Sequence, residues 1–231
     1  MSFRSLEEFF LSMKKHNVLF VVLRKYDRLP FSFVEDDHDL DILCQDKDEF
    51  VRFSHAKKRN VGISAYRIEV DSKWIDLDIR FVGDGYFDKK WEEAVLKSHI
   101  WYNDCVPIMD NENNYYTILY HCLTQKEEIS EYYLNKIMEL RCKLHYDITG
   151  NAKSEIFIDE LERFMAERRY TFKRPTDISV YQSKYVLGKG RYYDLKLPFR
   201  IKCFLILYAK TPDYLRKMLP DRMKEFFTNL V

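Results

Sequence analysis

Carboxylates alternate with aliphatic side chains in two separate stretches of this sequence, Asp39-Leu40-Asp41-Ile42 and Asp76-Leu77-Asp78-Ile79. Residues two apart in a β-strand point to the same face, about 6–7 Å from each other, so each stretch places two aspartates side by side. Aspartate is a poor strand former, and carboxylates within apolar strands cost stability unless a positive charge lies among them. Mg²⁺ prefers such hard oxygen ligands. The pattern therefore predicts two strands whose aspartates jointly bind a divalent metal.

The composition is that of a folded protein with a substantial core, since 46% of its 231 residues are hydrophobic and 16% are aromatic. The formal net charge of +1 gives no global attraction to nucleic acid, which we do not expect as a partner. The five cysteines form no Cys-x-x-Cys pair, which favours reduced thiols in a cytoplasmic protein. We find no signal peptide and no apolar run of about 18 residues, so we predict no membrane span.

Hydrophobic periodicity predicts strands and helices in the first part of the chain and mainly helices in the second. Ser5 and Glu8 form a capping box for the first helix. Strands are predicted at 18–23, 39–44, 63–70, 73–82 and 106–109, and helices at 47–58, 87–97, 115–122, 129–146, 156–169, 198–209 and from 213 onward. The predicted fold class is α+β: a small mixed β-sheet flanked by helices in a domain 1–112, then a mainly helical domain 113–231.

This order of elements resembles the nucleotidyltransferase superfamily, which has the polymerase-β-like fold. The likeness lies in a helix, a strand, a short loop, a second strand carrying Asp39 and Asp41, and a third aspartate on a later strand. It implies that these carboxylates hold Mg²⁺, or Mn²⁺ in its place, against a nucleoside triphosphate, and that the helical domain closes over the site. We take Asp78 as the third carboxylate, because the likeness includes Asp78-Ile79-Arg80, with Asp76 on the same face as an alternative ligand.

Further motifs resemble uncharacterised members of this superfamily that are associated with surface-polysaccharide biosynthesis. They are Leu23-Arg24, Asp39-Leu40-Asp41, Asp78-Ile79-Arg80, Gly83-Asp84-Gly85-Tyr86-Phe87-Asp88, Trp91, Leu119-Tyr120-His121 and the stretch from Pro175 to Tyr181. Together they extend the resemblance over most of the chain.

The sequence departs from the superfamily immediately after the first strand. Members usually carry a Gly-Ser pair there that cradles the phosphates, whereas this chain has Leu23-Arg24, followed by Lys25. A guanidinium binds phosphate oxygens bidentately, so Arg24 could replace the cradle; the change could also mean a different acceptor or lost activity. Other candidate phosphate- or nucleotide-binding residues lie in the second half: His121, Lys126, Lys189 and Arg191.

The expected activity is Mg²⁺-dependent transfer of a nucleotide from a nucleoside triphosphate to a small acceptor, such as a sugar, a polyol or their phosphate, with release of pyrophosphate. Two alternatives stay open. One is a metal-dependent glycosyltransferase that uses a nucleotide sugar, although the roughly 40 residues before Asp41 are short for its nucleotide-binding half. The other is a catalytically inactive binding protein that retains the fold.

Overall fold

The computed structural model describes residues 2–31, 39–58, 65–126, 128–146 and 154–173. The chain divides into two compact units, one built from Met1–Asp84 and Lys89–Asn114, the other from Gly85–Asp88 and the chain from Tyr115 onward. The predicted domains 1–112 and 113–231 stay a prediction. Within the described residues, no helix has the length and apolar character needed to cross a membrane.

The first unit is centred on a mixed β-sheet. Its strands are β1 (Phe20–Val22), β2 (Asp39–Cys44), β3 (Lys57–Lys58), β4 (Ala65–Val70), β5 (Lys73–Phe81), β6 (Ile100–Tyr102) and β7 (Val106–Ile108). They form a seven-stranded sheet in the order β3-β4-β5-β2-β1-β7-β6. β2 pairs with β5, and β1 with β7, in parallel, and the other neighbours are antiparallel. The predicted α+β class with a mixed sheet is confirmed.

Helices flank this sheet and make up the described core of the second unit. They are α1 (Leu6–Lys15), α2 (Lys47–Ser54), α3 (Lys89–Lys97), α4 (Asn111–Gln125), α5 (Glu131–Lys143) and α6 (Ser154–Arg168). α2 is shorter than the predicted helix 47–58, because His55 takes the left-handed conformation with φ of 53° and the chain then enters β3. α3 begins two residues after the predicted start, and β6 has no counterpart in the sequence prediction.

The predicted cap at Ser5 is present. Its hydroxyl accepts a hydrogen bond of 3.1 Å from the backbone N–H of Glu8, while the Glu8 carboxylate accepts one of 2.6 Å from the N–H of Arg4. The first contact satisfies a backbone donor that the first turn of a helix leaves open, and the second ties the residue before the N-cap to that turn. The cap fixes the start of α1, whose buried side chains then face the sheet: Leu6, Phe9, Phe10 and Met13.

The two faces of β2 and β5 have opposite character, as the alternation predicts. Leu40, Ile42, Leu77 and Ile79 are at most 2% exposed and belong to a core that also contains Phe9 of α1 and Phe50 of α2. The other face of these strands carries the aspartates, and we call it the polar face. It is the apolar face that anchors β2 and β5 and so fixes where the carboxylates lie.

In the second unit an ion-pair network joins three helices. Arg141 on α5 donates hydrogen bonds of 2.7 and 2.6 Å to the carboxylate of Glu160 on α6, and one of 2.9 Å to the hydroxyl of Tyr115 on α4. The Tyr115 hydroxyl also donates to Glu160. Arg141 is buried, so the network satisfies a charge that has little access to water.

Candidate metal centre

The parallel pairing of β2 with β5 brings the two aspartate pairs together. Asp39 lies opposite Asp76, and Asp41 lies opposite Asp78. Residues directly opposite each other in a ladder point to the same face, so all four carboxylates lie on the polar face. The Asp-Leu-Asp-Ile segments therefore match residue by residue, although they are separated along the chain by α2, β3 and β4.

Three of these carboxylates converge closely enough to hold one cation. Ligand oxygens of Asp39, Asp41 and Asp78 all lie within 4.8 Å of one another. Asp76 lies on the same face but is not a member of this set. The cluster, which we call the aspartate triad, contains the third carboxylate that the sequence analysis preferred.

Asp78 has an oxygen for which a cation is the natural partner. One oxygen, Oδ2, accepts a 3.3 Å hydrogen bond from Nη2 of Arg80. The other, Oδ1, is buried and has no hydrogen-bond partner in the part of the chain that the structure describes. A buried polar atom left in this state costs about 1–3 kcal/mol. A hard divalent cation bound at the triad would coordinate oxygens of this kind, so the donor set fits Mg²⁺.

The surroundings of Asp39 perturb its protonation. Desolvation of its carboxyl group, followed by the negative charges of Asp41 and Asp78, raises the pKa of Asp39. The positive charges of Arg24 and Lys25 act in the opposite direction. A cation bound at the triad would favour the ionised form of Asp39 and so oppose both of these effects.

Arg24 is positioned by the end of β1. The N–H of Leu23 donates a 2.9 Å hydrogen bond to the backbone oxygen of Asp41, and Lys25 then turns the chain with φ of 57°. The Arg24 guanidinium makes a bidentate ion pair with Asp41, with Nε 3.0 Å from Oδ2 and Nη2 2.6 Å from Oδ1. The side chains are 10% and 13% exposed, so the pair is largely shielded from water. Arg24 thus lies directly at the triad, bound to a carboxylate.

Of the remaining predicted site residues, Lys25 lies near enough to the triad for its charge to act on Asp39, and the others lie elsewhere. Lys25 is exposed, next to Arg24 in the first unit. His121 is buried on α4 in the second unit, where its Nδ1 is 3.1 Å from Oε1 of Gln125 and 3.4 Å from the Tyr86 hydroxyl. Lys126 follows α4 and is exposed. Lys189 and Arg191 lie outside the described residues. Nucleotide or phosphate binding by these residues stays a prediction.

Sequence reasoning did not assign a role to Arg80, which the structure places in contact with the triad. Its side chain is 13% exposed and pairs with Asp78. The signal was present in the sequence, because Asp78 and Arg80 are two residues apart on one strand and therefore share the polar face. With Arg24 on Asp41 and Arg80 on Asp78, guanidinium groups balance part of the triad's negative charge.

No family model matches the sequence, and no curated protein sequence matches it. Two solved structures are similar to it. The solution structure of the antibiotic-resistance factor ANT(2'')-Ia has 12% identity and a TM-score of 0.40, over 71% of this chain and 94% of that one. The crystal structure of an antigenic nucleotidyltransferase-like protein from Paracoccidioides brasiliensis has 9% identity and a TM-score of 0.40, over 71% of this chain and 87% of that one.

Proposed function

We propose that this protein is a Mg²⁺-dependent nucleotidyltransferase. The observation that carries the proposal is the convergence of the triad oxygens within 4.8 Å on a strand pair whose opposite face is buried. A rigid platform of carboxylates suits nucleotidyl transfer, because that reaction depends mainly on positioning and on charge neutralisation. The substrate would be a nucleoside triphosphate, and the products a nucleotidylated acceptor and pyrophosphate.

Asp39, Asp41 and Asp78 would hold Mg²⁺, which when bound supplies neutralising charge to the reacting phosphates. Arg24 would bind phosphate oxygens through the same pair of donors that it now directs at Asp41. Asp78, as the third carboxylate of the metal site, would also accept the proton of the acceptor hydroxyl. Arg80 would orient Asp78 through the contact between Nη2 and Oδ2.

The acceptor would be a small molecule with a free hydroxyl, such as a sugar, a polyol or a phosphate of either. A polysaccharide precursor is one acceptor of this class, and the resemblance to uncharacterised superfamily members associated with surface-polysaccharide biosynthesis favours it. The alternative is a metal-dependent glycosyltransferase that uses a nucleotide sugar.

The test is nucleotide-dependent release of pyrophosphate by the full-length protein with Mg²⁺, each of the four triphosphates and a panel of sugars, polyols and their phosphates. We expect Asp41→Asn and Asp78→Asn each to lower the rate about 100-fold or more, because each removes a metal ligand. Asp76→Asn tests the alternative ligand and should have a much smaller effect. Asp159→Asn, on the exposed surface of α6, is the control for the loss of one carboxylate. Release of a nucleoside diphosphate from a nucleotide sugar would instead support the glycosyltransferase alternative.

A further inference from the structure

A basic pair lies on the polar face, on the strands next to the aspartates. Lys57 on β3 lies directly opposite Arg67 on β4, and Arg67 lies directly opposite Asp76 on β5. Trp74 is two residues before Asp76 on the same strand and therefore shares that face. We call Lys57, Arg67 and Trp74 the basic–aromatic cluster.

The contacts within this cluster hold two cations against one ring. The guanidinium carbon of Arg67 lies 4.3 Å from the centroid of the Trp74 ring, and Nζ of Lys57 lies 4.9 Å from it. Trp74 is 42% exposed, so the cluster is open to solvent. In the described ranges, no carboxylate is within ion-pair distance of Lys57 or Arg67. Nε of Arg67 is buried and has no hydrogen-bond partner among the same residues.

Two features of this arrangement are unfavourable, although Asp76, directly opposite Arg67, offsets part of the repulsion. Like charges directly opposite each other across two strands repel, and a buried N–H without an acceptor carries a desolvation penalty of about 1–3 kcal/mol. An oxyanion beside the pair would offset the repulsion, since it attracts both cations and accepts hydrogen bonds from the accessible part of the guanidinium. Phosphate matches the planar donors of arginine bidentately.

The position of the cluster indicates which substrate would carry the phosphate. Across the sheet, Arg24 follows β1 on one side of the triad, while Arg67 and Lys57 lie on β4 and β3 on the other side. Arg67 is two strand spacings from Asp39, which is about 10 Å between backbones. If a phosphate group of the acceptor bound there, a short carbon skeleton would extend from it to the triad. A hydroxyl group on that skeleton would then react at the triad.

We propose that Lys57 and Arg67, held by Trp74, bind a phosphate group on the acceptor, so that the acceptor is a small phosphorylated sugar or polyol. The assignment of this phosphate to an acceptor rests on the proposed nucleotidyltransferase function. Binding of phosphate at the cluster does not rest on it. Arg67 would act as a residue that determines acceptor specificity, with no part in the bonds that form and break.

The test uses the indole N–H signals of the full-length ¹⁵N-labelled protein, with Trp74→Phe to assign the Trp74 signal. Inorganic phosphate is titrated at constant ionic strength without divalent metal. We expect the Trp74 signal to shift saturably, and Arg67→Gln to weaken phosphate binding about tenfold or more, because a charge-assisted bidentate contact is lost. Arg52→Gln is the matched control, since Arg52 also stacks on a ring, 4.5 Å from the centroid of Phe53, but on α2. No saturable shift, or an equal loss in Arg52→Gln, would overturn the proposal.

A second arm separates the source of the phosphate from the function of the triad. With saturating Mg²⁺ and ATP present, the phosphate response at Trp74 should persist; its disappearance through competition would assign the cluster to the triphosphate and contradict the acceptor proposal. Asp41→Asn should lose the response to Mg²⁺ and keep the response to phosphate. A wild-type protein that binds phosphate at Trp74 but shows no Mg²⁺ or triphosphate binding would refute the proposed function while leaving the anion site intact.

Discussion

At the scale of single residues, the ion pair between Arg24 and Asp41 controls how a cation can reach the triad. Both side chains are largely shielded from water, and both oxygens of Asp41 are engaged by one guanidinium. A metal that uses Asp41 must compete with this partner. A triphosphate offers Arg24 other oxygens of the same charge, so binding of metal and of nucleotide should reinforce each other.

Replacing Arg24 should therefore change the affinity for metal and the affinity for nucleotide in opposite directions. In Arg24→Gln, we expect Mn²⁺ in the absence of nucleotide to bind more tightly, by about tenfold, because removing one partner of a shielded ion pair leaves a carboxylate that a cation then neutralises. Triphosphate binding should weaken in the same variant. Titration of Mn²⁺ by electron paramagnetic resonance measures the first effect, with Arg52→Gln as the control. An unchanged Mn²⁺ affinity would show that Arg24 does not compete for the triad.

The raised pKa of Asp39 gives a prediction about stability and pH in the metal-free protein. An acid whose pKa is raised in the native state holds its proton more tightly there than in the unfolded chain, so stability falls as the pH rises above the ordinary value of 3.8 towards the raised native value. Asp39→Asn removes this loss. We expect the variant to match the wild type near pH 3 and to be more stable at pH 7, by no more than about 1 kcal/mol because Asp39 is exposed.

Urea denaturation in the presence of EDTA, at pH 3 and pH 7, measures this difference. Asp159→Asn is again the control. If Asp39→Asn were less stable than the wild type at pH 7 without metal, the expected cost of an ionised Asp39 in the native state would be contradicted.

The sequence predicted the residues of the triad better than their partners. Alternation along each strand is a local property, so the shared faces of Asp39 with Asp41 and of Asp76 with Asp78 could be derived from spacing alone. Which of the second pair joins the first depends on strand register, a relation between distant segments, and only the resemblance favoured Asp78. The contact of Arg24 with Asp41, and the pairing of Lys57 with Arg67, arise from how β1 ends and how β3 pairs, which no local pattern encodes.

At the scale of elements, secondary structure was predictable where burial imposes a clear period. β2 was predicted with its observed bounds, and β5 with one extra residue, since one face of each is apolar and the other polar. β3 was missed because two exposed lysines carry no such period, and β6 because its short sequence Ile-Trp-Tyr does not alternate. The end of α2 depends on a left-handed residue, His55, which is not a residue type that signals a helix end reliably.

Three helices of the second unit depend on one arginine, which allows a test of their packing. Arg141→Met leaves Glu160 without its cationic partner, at a site where the Glu160 side chain is 13% exposed. We expect the variant to lose about 3 kcal/mol of stability. The double variant with Arg141→Met and Glu160→Met should regain most of this loss, because no unpaired charge remains.

Thermal denaturation followed by circular dichroism measures the stability of both variants. A double variant as unstable as the single one would show that packing of Arg141, rather than its charge, holds α4, α5 and α6 together.

At the scale of the whole molecule, the chain forms two compact units, and the triad lies entirely in the first. A ligand stabilises the structure that contains its site, and regions that open independently do not share that stabilisation. The effect of metal alone should therefore be local to the sheet.

Hydrogen exchange measured by mass spectrometry tests this. With saturating Mn²⁺ and no nucleotide, we expect slower exchange in peptides that cover β2 and β5 and unchanged exchange in peptides from α5 and α6. Asp41→Asn should abolish the protection. Equal protection of both units would contradict the expectation, since it would mean that they unfold as one cooperative body.

Because β2 and β5 each have an apolar face and a polar face, the residues on the two faces can change independently in evolution. The side chains at positions 40, 42, 77 and 79 pack in the core, and those at positions 39, 41, 76 and 78 carry the negative charge of the polar face. Neighbouring positions on these strands are therefore selected for different properties, one for side-chain volume and the other for side-chain charge. A lineage could change its ligand by replacing every second residue of these strands while the intervening residues keep the sheet folded.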